Sequence, residues 1–358
     1  MLKVLHFIND LNIDGGAQRI VQDLAADAQD TETTVVTIRP APLQTARLFA
    51  EHGIRHTSLR PFSPGRMLST YKLAAAADVM HVHLFPALYL GALIPKRKLF
   101  TEHNTHNGRR NRPWLRFVER AVYRRYDRIV CISEATQTAL EDWVGPLGGR
   151  TSIVDNGIRL GRFPHRLRTD PRPPYVLAMT GAFTSQKDQA TLIRSLRELP
   201  ESFRLLLVGD GKTRPALEAL AAECHVEDRV EFLGARPNEE LPEILRQVDL
   251  YVQSSHWEGF GLAPVEAMAA GIPTMGSNVP GLARVIGKPE LLFQVENEKE
   301  LADKALALFE NAEGYARESQ YALDRSECFD SRRMADEYGE IYRTMTNQTG
   351  AEGKKRAS

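Results

Sequence analysis

The chain of 358 residues is 42% hydrophobic and 26% charged, which is typical of globular proteins. Its length exceeds one ordinary hydrophobic core and predicts two domains. Basic and acidic residues balance at 46 each, but residues 1–168 carry 24 Lys and Arg against 15 Asp and Glu, and the remainder reverses that excess. A basic first half favours an anionic partner, although no zinc-ligand spacing, RNP motif or basic tail supports nucleic acid in that role.

The first half alternates β-rich runs with amphipathic helical patterns. We predict strands at residues 4–8, 34–38, 79–82, 99–101, 129–132 and 152–154. We predict helices at residues 17–28, 43–52, 67–77, 114–126 and 134–143. This order is typical of a doubly wound parallel sheet.

The second half repeats the alternation after a segment rich in proline and arginine, residues 163–174, which we interpret as a linker with hinge motion. Strands are predicted at 175–180, 204–208, 230–232, 250–253 and 273–276, and helices at 188–199, 213–223, 239–247, 265–270, 298–311 and 331–346. The domain prediction is therefore 1–165 and 166–330, a C-terminal helix (331–346) packed back toward the N-terminal domain, and a disordered tail (347–358). Both domains are α/β and Rossmann-like, facing across a cleft, with ligands expected at the carboxyl ends of the strands.

The cellular location is predicted from cysteine usage and hydropathy. Cys131, Cys224 and Cys328 are widely spaced, with neither metal-ligand spacing nor a disulfide framework, which fits a reducing cytoplasm. The N-terminus is predicted to be a strand, not a signal peptide. The longest apolar run, residues 84–95, is too short to cross a bilayer. We therefore expect a cytoplasmic chain.

The stretch HWEGFGLAPVEAMAAGIP, residues 256–273, is the most informative motif. A helix beginning after its Gly-Phe-Gly turn would present unpaired backbone N–H groups that bind phosphate. Glu258 and Glu266 flank that start, and carboxylates accept hydrogen bonds from sugar hydroxyls. A phosphate site between two such acceptors indicates a nucleotide-sugar, although a surface glutamate and a helix-dipole carboxylate are the ordinary alternatives.

Three other candidates follow predicted strands directly. Gly15-Gly16 precedes a helix but does not form a GxGxxG fingerprint, which disfavours a dehydrogenase. Lys187 lies between a strand and a helix, where a solvated lysine is the simpler interpretation. His103, in TEHNTHN, lies at a strand end expected to face the cleft; His106 is a nearby competitor, and His81 and His83 are core-strand alternatives.

Residues 107–128 are basic, with interleaved aromatic residues. Arg112, Arg116, Arg120 and Arg124 recur every four residues, and an apolar stripe runs at helical spacing (Trp114, Phe117, Val118, Ala121 and Val122). One interpretation is an ordinary domain helix with a solvated basic face. The other is a surface that contacts anionic lipid or a lipid-diphosphate acceptor.

Together these motifs resemble the retaining glycosyltransferases of family 4, which have the two-domain GT-B fold. The resemblance is strongest between residues 175 and 285. The matching residues are Gly15-Gly16, His103, Asn156-Gly157, Lys187, Val208-Gly209-Asp210-Gly211, Gly234, Arg236, Asp249, Glu258, Gly259-Phe260-Gly261, Glu266, Met268 and Gly271-Ile272-Pro273.

The resemblance implies roles for individual residues. Glu258 would contact the donor sugar, Glu266 the ribose hydroxyls and Lys187 the donor diphosphate. His103 would help to shape the reaction centre. Further donor-binding residues would be Gly16, Gly209, Arg236, Gly259, Phe260, Gly261 and Leu262. The acceptor or membrane surface would include Arg109, Arg112, Arg116 and Arg120.

The resemblance also implies the reaction: transfer from a nucleotide-diphosphate sugar, UDP-linked by expectation, to a hydroxyl of a glycan or polyprenyl-diphosphate-linked acceptor. No metal or cofactor and no nucleic acid are expected, and contact with the inner face of the cytoplasmic membrane would be peripheral. The chain departs from the family at Ala182, where an arginine is usual and would supply a second cation. A sugar-nucleotide epimerase and a non-catalytic sugar-nucleotide scaffold therefore remain alternatives.

Overall fold

The computed structural model describes residues 1–12, 15–27, 30–60 and 64–355. The chain divides into two compact units. Unit 1 is Met1–Gly157 together with the C-terminal segment from Ser331, and unit 2 is Ile158–Asp330. The chain therefore passes between the units twice, at 157/158 and at 330/331, and the first boundary lies before the predicted 165/166.

Among the described residues, unit 1 contains a seven-stranded parallel sheet with strand order β3-β2-β1-β4-β5-β6-β7. Its strands are β1 (Leu2–Ile8), β2 (Thr31–Thr37), β3 (Arg55–Ser58), β4 (Val79–His83), β5 (Lys98–Glu102), β6 (Arg128–Cys131) and β7 (Thr151–Ile153). The strand order reverses direction between β1 and β4, which creates a crevice at the carboxyl ends of these two strands.

Helices cover the sheet of unit 1. They are α1 (Gly16–Asp27), α2 (Leu43–Glu51), α3 (Pro64–Ala76), α4 (Ala87–Ala92), α5 (Leu115–Tyr123), α6 (Glu134–Val144) and, from the C-terminal segment, a long helix (Ser331–Lys355). Short 3-10 helices occupy Gly108–Asn111 and, in unit 2, Leu160–Arg162, Glu227–Arg229 and Pro289–Leu291. Helix α6 begins where the Ser133 hydroxyl accepts a hydrogen bond from the backbone N–H of Thr136.

Unit 2 repeats the same architecture with six strands in the order β10-β9-β8-β11-β12-β13, all parallel in the described part of the chain. Its strands are β8 (Tyr175–Thr180), β9 (Phe203–Val208), β10 (Val230–Gly234), β11 (Leu250–Gln253), β12 (Thr274–Ser277) and β13 (Leu292–Phe293). Here the order reverses between β8 and β11, so the crevice of this sheet lies at their carboxyl ends.

The helices of unit 2 are α7 (Gln189–Ser195), α8 (Arg214–Glu223), α9 (Leu241–Leu245), α10 (Leu262–Ala269), α11 (Pro280–Ile286), α12 (Glu298–Phe309) and α13 (Ala312–Glu327). The C-terminal helix of unit 1 is therefore α14. Asn297 and Asn311 cap α12 and α13 by accepting hydrogen bonds from Glu300 and Gly314.

The two predicted doubly wound sheets are confirmed, with several elements added. The elements that sequence patterns missed are β3, α4, α11, β13 and α13. Most are short, and too few residues carry their periodicity to separate them from loops. No helix in the described ranges is both long enough and apolar enough to span a bilayer.

Two predictions about flexible segments differ from the structure. The predicted linker, 163–174, is part of unit 2, where the Arg168 guanidinium donates to the carbonyls of Leu245 and Val248 and its backbone N–H donates to Ser319. The predicted tail is helical as far as Lys355, because the segment lacks proline and α14 continues through it. Residues 356–358 lie outside the described part of the chain.

Candidate functional site

In unit 2, predicted site residues lie on two loops at the carboxyl ends of β8 and β11. The Lys187 ammonium donates to the Glu258 carboxylate over 2.6 Å, with the two side chains 20% and 12% exposed. The pair therefore joins the loop after β8 to the loop after β11, across the crevice of the sheet. It brings together the two residues for which a cation and a hydroxyl acceptor were predicted.

A series of buried, hydrogen-bonded polar side chains on β11 and just after it leads to Glu258. The Tyr251 hydroxyl donates to Gln253 over 2.8 Å, the Gln253 amide donates to Ser255 over 3.1 Å, and the Ser255 hydroxyl donates to the Glu258 carboxylate over 3.2 Å. These residues were absent from the sequence prediction. Polar residues at successive alternate positions of an otherwise apolar strand are the signal that could have identified them.

The backbones of the same two loops are also joined. His256 donates its N–H to the Gln186 carbonyl over 2.8 Å, and the Gln186 side-chain amide donates to the Trp257 carbonyl over 2.9 Å. The positions of Lys187 and Glu258 are therefore set by the loop backbones as well as by their own ion pair.

Helix α10 begins directly after this loop. Gly261 caps it with φ of 107°, in the left-handed region that favours glycine. Glu266 lies inside the helix and is only 3% exposed, so it is not an ordinary surface carboxylate. Phe260 is buried and packs its ring edge-on against Phe329, 5.4 Å between centroids. Gly259 and Leu262 beside it are half-buried.

Gly209 and Arg236, both predicted to bind the donor, make contacts within unit 2, and their donor-binding role stays a prediction. The Gly209 N–H donates to the Gly234 carbonyl over 2.9 Å. Arg236 follows β10, the edge strand, and bonds to Leu233 and Glu240. No contact of the described residues joins Arg236 to the Lys187–Glu258 pair.

The backbone at Gly209 lies close to that of Gly181, so a side chain at position 209 should destabilise the fold. A Cβ there would lie 2.0 Å from the Gly181 carbonyl oxygen, and φ is 143°. We expect Gly209→Ala to lower the free energy of unfolding by about 3 kcal/mol in urea titrations, from backbone strain plus overpacking. Gly161→Ala is the matched control, because a Cβ there meets nothing within 4 Å. Equal stability of the two variants would contradict the close approach.

In unit 1, two predicted residues lie at carboxyl ends of the sheet. Gly16 is the first residue of α1, which follows β1, and is exposed. His103 follows β5, is half-buried, and places Nε2 3.3 Å from Nδ1 of His83. Burial lowers the pKa of His103 to about 3, so this imidazole is neutral at physiological pH. Its competitor His106 is exposed.

His81 and His83, the core-strand alternatives, are both buried in β4. One nitrogen each of His6, His81 and His83 lies within 4.8 Å of the others. Among the described residues this histidine group is the one close enough to hold a metal ion jointly.

Arg109, predicted to lie on the acceptor surface, is held by an ion pair within unit 1, and its acceptor role stays a prediction. Its guanidinium pairs with the buried Glu119 carboxylate at 2.5 Å. Tyr89 and Trp143 donate to the same carboxylate, at 3.0 and 2.6 Å. This network anchors α5, and the pKa of Arg109 is raised by its hydrogen bond to Glu119 despite the opposing effect of burial.

Helix α5 therefore buries a carboxylate and a tyrosine and exposes apolar side chains. Its buried residues are Glu119 and Tyr123, whereas Trp114, Phe117 and Val118 are 61%, 75% and 40% exposed. Most of the predicted apolar stripe therefore faces solvent, and Val122 is the member that packs against the core of unit 1.

The predicted arginine stripe is only partly formed. Arg112 precedes α5, Arg116 and Arg124 are exposed, and Arg120 is half-buried. Arg116 and Arg124 are therefore the cations of this stripe that lie exposed on or directly after the helix.

Comparisons with known proteins agree with this architecture. The sequence profile described as Glycosyltransferase Family 4 matches residues 14–162, and the profile described as Glycosyl transferases group 1 matches residues 165–325. An uncharacterised glycosyltransferase of Methanocaldococcus jannaschii is 26% identical over 315 residues, covering 84% of this chain and 86% of that protein.

Two further comparisons carry functional names. The GDP-mannose:cellobiosyl-diphosphopolyprenol alpha-mannosyltransferase of Komagataeibacter xylinus is 25% identical over 302 residues, covering 78% of this chain and 75% of that protein. The crystal structure of Anabaena HepE in complex with UDP and glucose superposes with a TM-score of 0.83 at 20% identity, covering 96% of this chain and all of that one.

Two Rossmann-like domains with these sequence matches define a glycosyltransferase of the GT-B type. The chain belongs to glycosyltransferase family 4.

Proposed function

We propose that this glycosyltransferase moves a sugar, with retention of configuration, from a nucleotide-diphosphate donor to a hydroxyl of a glycan or lipid-linked acceptor. The observation that carries the proposal is the Lys187–Glu258 pair across the crevice of unit 2. A cation and a hydroxyl acceptor 2.6 Å apart suit a ligand in which phosphate and sugar are directly joined. HepE, one of the structural neighbours, is seen in complex with UDP and glucose, which supports UDP as the first nucleotide to test.

In the proposed chemistry the Lys187 ammonium binds the diphosphate of the donor and the Glu258 carboxylate binds its sugar. In the ligand-free protein Lys187 and Glu258 neutralise each other, which reduces the cost of holding both partly out of water. When the donor binds, the diphosphate replaces Glu258 as the partner of the Lys187 ammonium, and the sugar hydroxyls donate hydrogen bonds to Glu258. As the sugar–phosphate bond breaks, Lys187 stabilises the charge developing on the leaving diphosphate.

The remaining steps belong to the donor, the acceptor and other side chains. The acceptor oxygen attacks the face from which the diphosphate departs, and its proton passes to the departing phosphate oxygen. Glu266 accepts hydrogen bonds from the ribose hydroxyls. By resemblance to the family, His103 would contact the donor sugar and Gly16 would lie against the diphosphate or the acceptor. No metal enters this scheme.

The test is a panel of UDP- and GDP-sugars, measured first by thermal shift and then by transfer to lipid-linked and glycan acceptors. We expect one nucleotide to raise the melting temperature and its sugar to be transferred. Glu266→Gln should weaken nucleotide binding. Absence of turnover with every donor, together with unchanged nucleotide binding by Glu266→Gln, would overturn the proposal.

A sugar-nucleotide scaffold is the second candidate, because Ala182 is exposed on the loop after β8 where a second cation is usual in the family. Nucleotide binding that Lys187→Ala leaves unchanged, with no product from any donor, would favour the scaffold. An epimerase would instead convert the donor sugar with no acceptor present.

We further propose that α5 docks on an anionic membrane surface. Exposed Trp114 and Phe117 would insert among acyl chains while Arg116 and Arg124 approach lipid phosphates, as in interfacial amphipathic helices. This placement suits a lipid-linked acceptor, the class named for the Komagataeibacter xylinus relative. The proposed location is therefore cytoplasmic and peripheral at the inner face of the membrane.

Vesicle co-sedimentation tests this contact. We expect Arg116→Glu with Arg124→Glu to weaken binding to phosphatidylglycerol vesicles by at least about tenfold, because each basic residue near an anionic surface contributes about 1 kcal/mol. Phe117→Ser should weaken binding independently. Arg55→Glu, at an exposed arginine of β3, is the control and should bind almost as the wild type does. Unchanged partitioning of the α5 variants would remove the proposal.

A further inference from the structure

Three strands of unit 1 place histidines on one face of the sheet. His6 in β1 pairs in register with His81 in β4, and His83, two residues later, points to the same face. His83 is in register with Thr101 of β5, and His103 follows two residues beyond. His6, His81 and His83 are buried, whereas His103 is half-buried. The group therefore leads from the carboxyl edge of the sheet into its core.

Three of these histidines form a continuous hydrogen-bonded row. Nε2 of His103 lies 3.3 Å from Nδ1 of His83, and Nε2 of His83 lies 3.2 Å from Nδ1 of His6. We call His6, His83 and His103 the histidine row. No carboxylate takes part in these two contacts.

His81 packs against the row at a tilt without joining its hydrogen bonds. Its ring lies 3.9 Å from that of His83, centroid to centroid. Nδ1 of His81 is 2.7 Å from the Tyr342 hydroxyl, and Nε2 is 2.6 Å from the Thr101 hydroxyl. Both of its nitrogens are therefore satisfied by hydroxyls.

Each imidazole of the row carries one ring proton. Burial lowers the pKa of His6 to about 4 and that of His103 to about 3, and it lowers the pKa of His83 well below the usual range. A neutral imidazole donates from one nitrogen and accepts at the other. The row is therefore fully hydrogen-bonded in only two states, with every proton on Nε2 or every proton on Nδ1.

We propose that His6 and His83 are positioning residues that hold His103 in its Nε2–H tautomer, so that Nδ1 of His103 accepts a hydrogen bond from the substrate. In this state His103 donates to His83 and His83 donates to His6. All three rings then adopt the tautomer that a free neutral imidazole favours. The role of Nδ1 rests on the proposed function, in which His103 contacts the donor sugar; the tautomer assignment does not.

The consequence is that His103 acts as a hydrogen-bond acceptor for a sugar hydroxyl and not as a general base. A general base works best with a pKa near the operating pH, and burial keeps that of His103 far below it. The row supplies orientation: a ring held through Nε2 cannot rotate without breaking the bond to His83. This resembles the way in which outer partners fix the tautomer of metal-bound histidines.

Long-range ¹H–¹⁵N correlation spectra of the ligand-free full chain, labelled at the histidine rings, test the tautomer directly. We expect His103, assigned by its loss in His103→Gln, to show a protonated Nε2 and a bare Nδ1 at neutral pH. In His6→Phe the row loses its final acceptor, and the Nδ1–H form of His103 should become detectable. His6→Asn places an amide oxygen near the position of Nδ1 and should restore the wild-type spectrum.

Thr101→Val is the matched control, because it removes a hydroxyl bonded to His81 and leaves the row intact. His103 should keep its tautomer in this variant. If His6→Phe fails to fold, the wild-type spectrum still decides: a protonated Nδ1 on His103 overturns the proposal. Metal bound stoichiometrically by the purified protein also overturns it, since His6 and His83 would then face the ion.

Kinetics separate this inference from the proposed function. His6→Phe should lower kcat about tenfold while the donor KM stays nearly unchanged, and His6→Asn should recover most of the loss. If the wild-type protein shows the Nε2–H form of His103 but no transfer activity, the tautomer assignment stands and the proposed function is rejected. Transfer activity unaffected by His6→Phe would reject the positioning role alone.

Discussion

Lys187→Met is expected to lower kcat by about 10²–10³-fold, the loss typical of one preorganised group that stabilises transition-state charge. Ala182 contributes no second cation, so little else in the described loop after β8 can replace the ammonium. The variant also leaves the Glu258 carboxylate partly buried without its 2.6 Å partner. The measurement is steady-state transfer with the donor identified from the sugar-nucleotide panel.

Lys288→Met is the control for this prediction. Lys288 forms a comparable ion pair with Glu318, 2.8 Å long, with side chains 31% and 24% exposed. It follows α11 and precedes β13, so it lies away from the carboxyl edge of the sheet. We expect this variant to retain kcat within a few-fold. Equal losses in the two variants would show that Lys187 acts through stability, and a fully active Lys187→Met would contradict its contact with the leaving group.

Unit 1 should lose stability steeply as the pH falls below about 6.5. The native state keeps four histidines neutral, namely His6, His81, His83 and His103, because burial lowers their pKa values. Burial lowers the pKa of His56 in β3 as well. The unfolded chain protonates them near pH 6.5 and so binds more protons. Stability is therefore complete above that pH and declines by about 1.4 kcal/mol per pH unit for each histidine. For His6, with a pKa of about 4, the total is about 3 kcal/mol.

Two carboxyls of unit 1 oppose this loss. Burial raises the pKa of Glu102 and of Glu337, so the native state takes up these protons at a higher pH than the unfolded chain does. Their contribution to stability is present at low pH and is lost as the pH rises through the raised pKa values. Each carboxyl offsets one histidine proton at most.

Urea unfolding between pH 7.5 and 5 measures this slope. In a Trp257→Phe background the remaining tryptophans, Trp114 and Trp143, both lie in unit 1 and report on it by fluorescence. His6→Phe should reduce the slope by about 1.4 kcal/mol per pH unit. Leu5→Val, at a buried neighbour in β1, should lower stability at every pH and leave the slope unchanged. If the free energy of unfolding of the wild type did not change over this pH range, the buried histidines would not be neutral in the native state.

The donor-side motif could be predicted because its signals are local in sequence. Apolar periodicity gave both sheets, and one contiguous stretch contains the Gly-Phe-Gly turn and both glutamates. Arg109 shows the limit of such signals. Its place in the basic stretch 107–128 suggested a surface cation, yet its partner is Glu119, which is buried by the packing of α5.

By itself, the sequence determined two doubly wound domains, the family and the positions of Lys187, Glu258 and His103 at strand ends, since each depends on short-range pattern. Only the tertiary structure decided which side chains meet. The Lys187–Glu258 pair joins residues 71 apart, and the His6–His83 contact joins residues 77 apart. Such contacts depend on strand order and register, which arise when parallel strands are assembled through crossovers and leave no local trace in the chain.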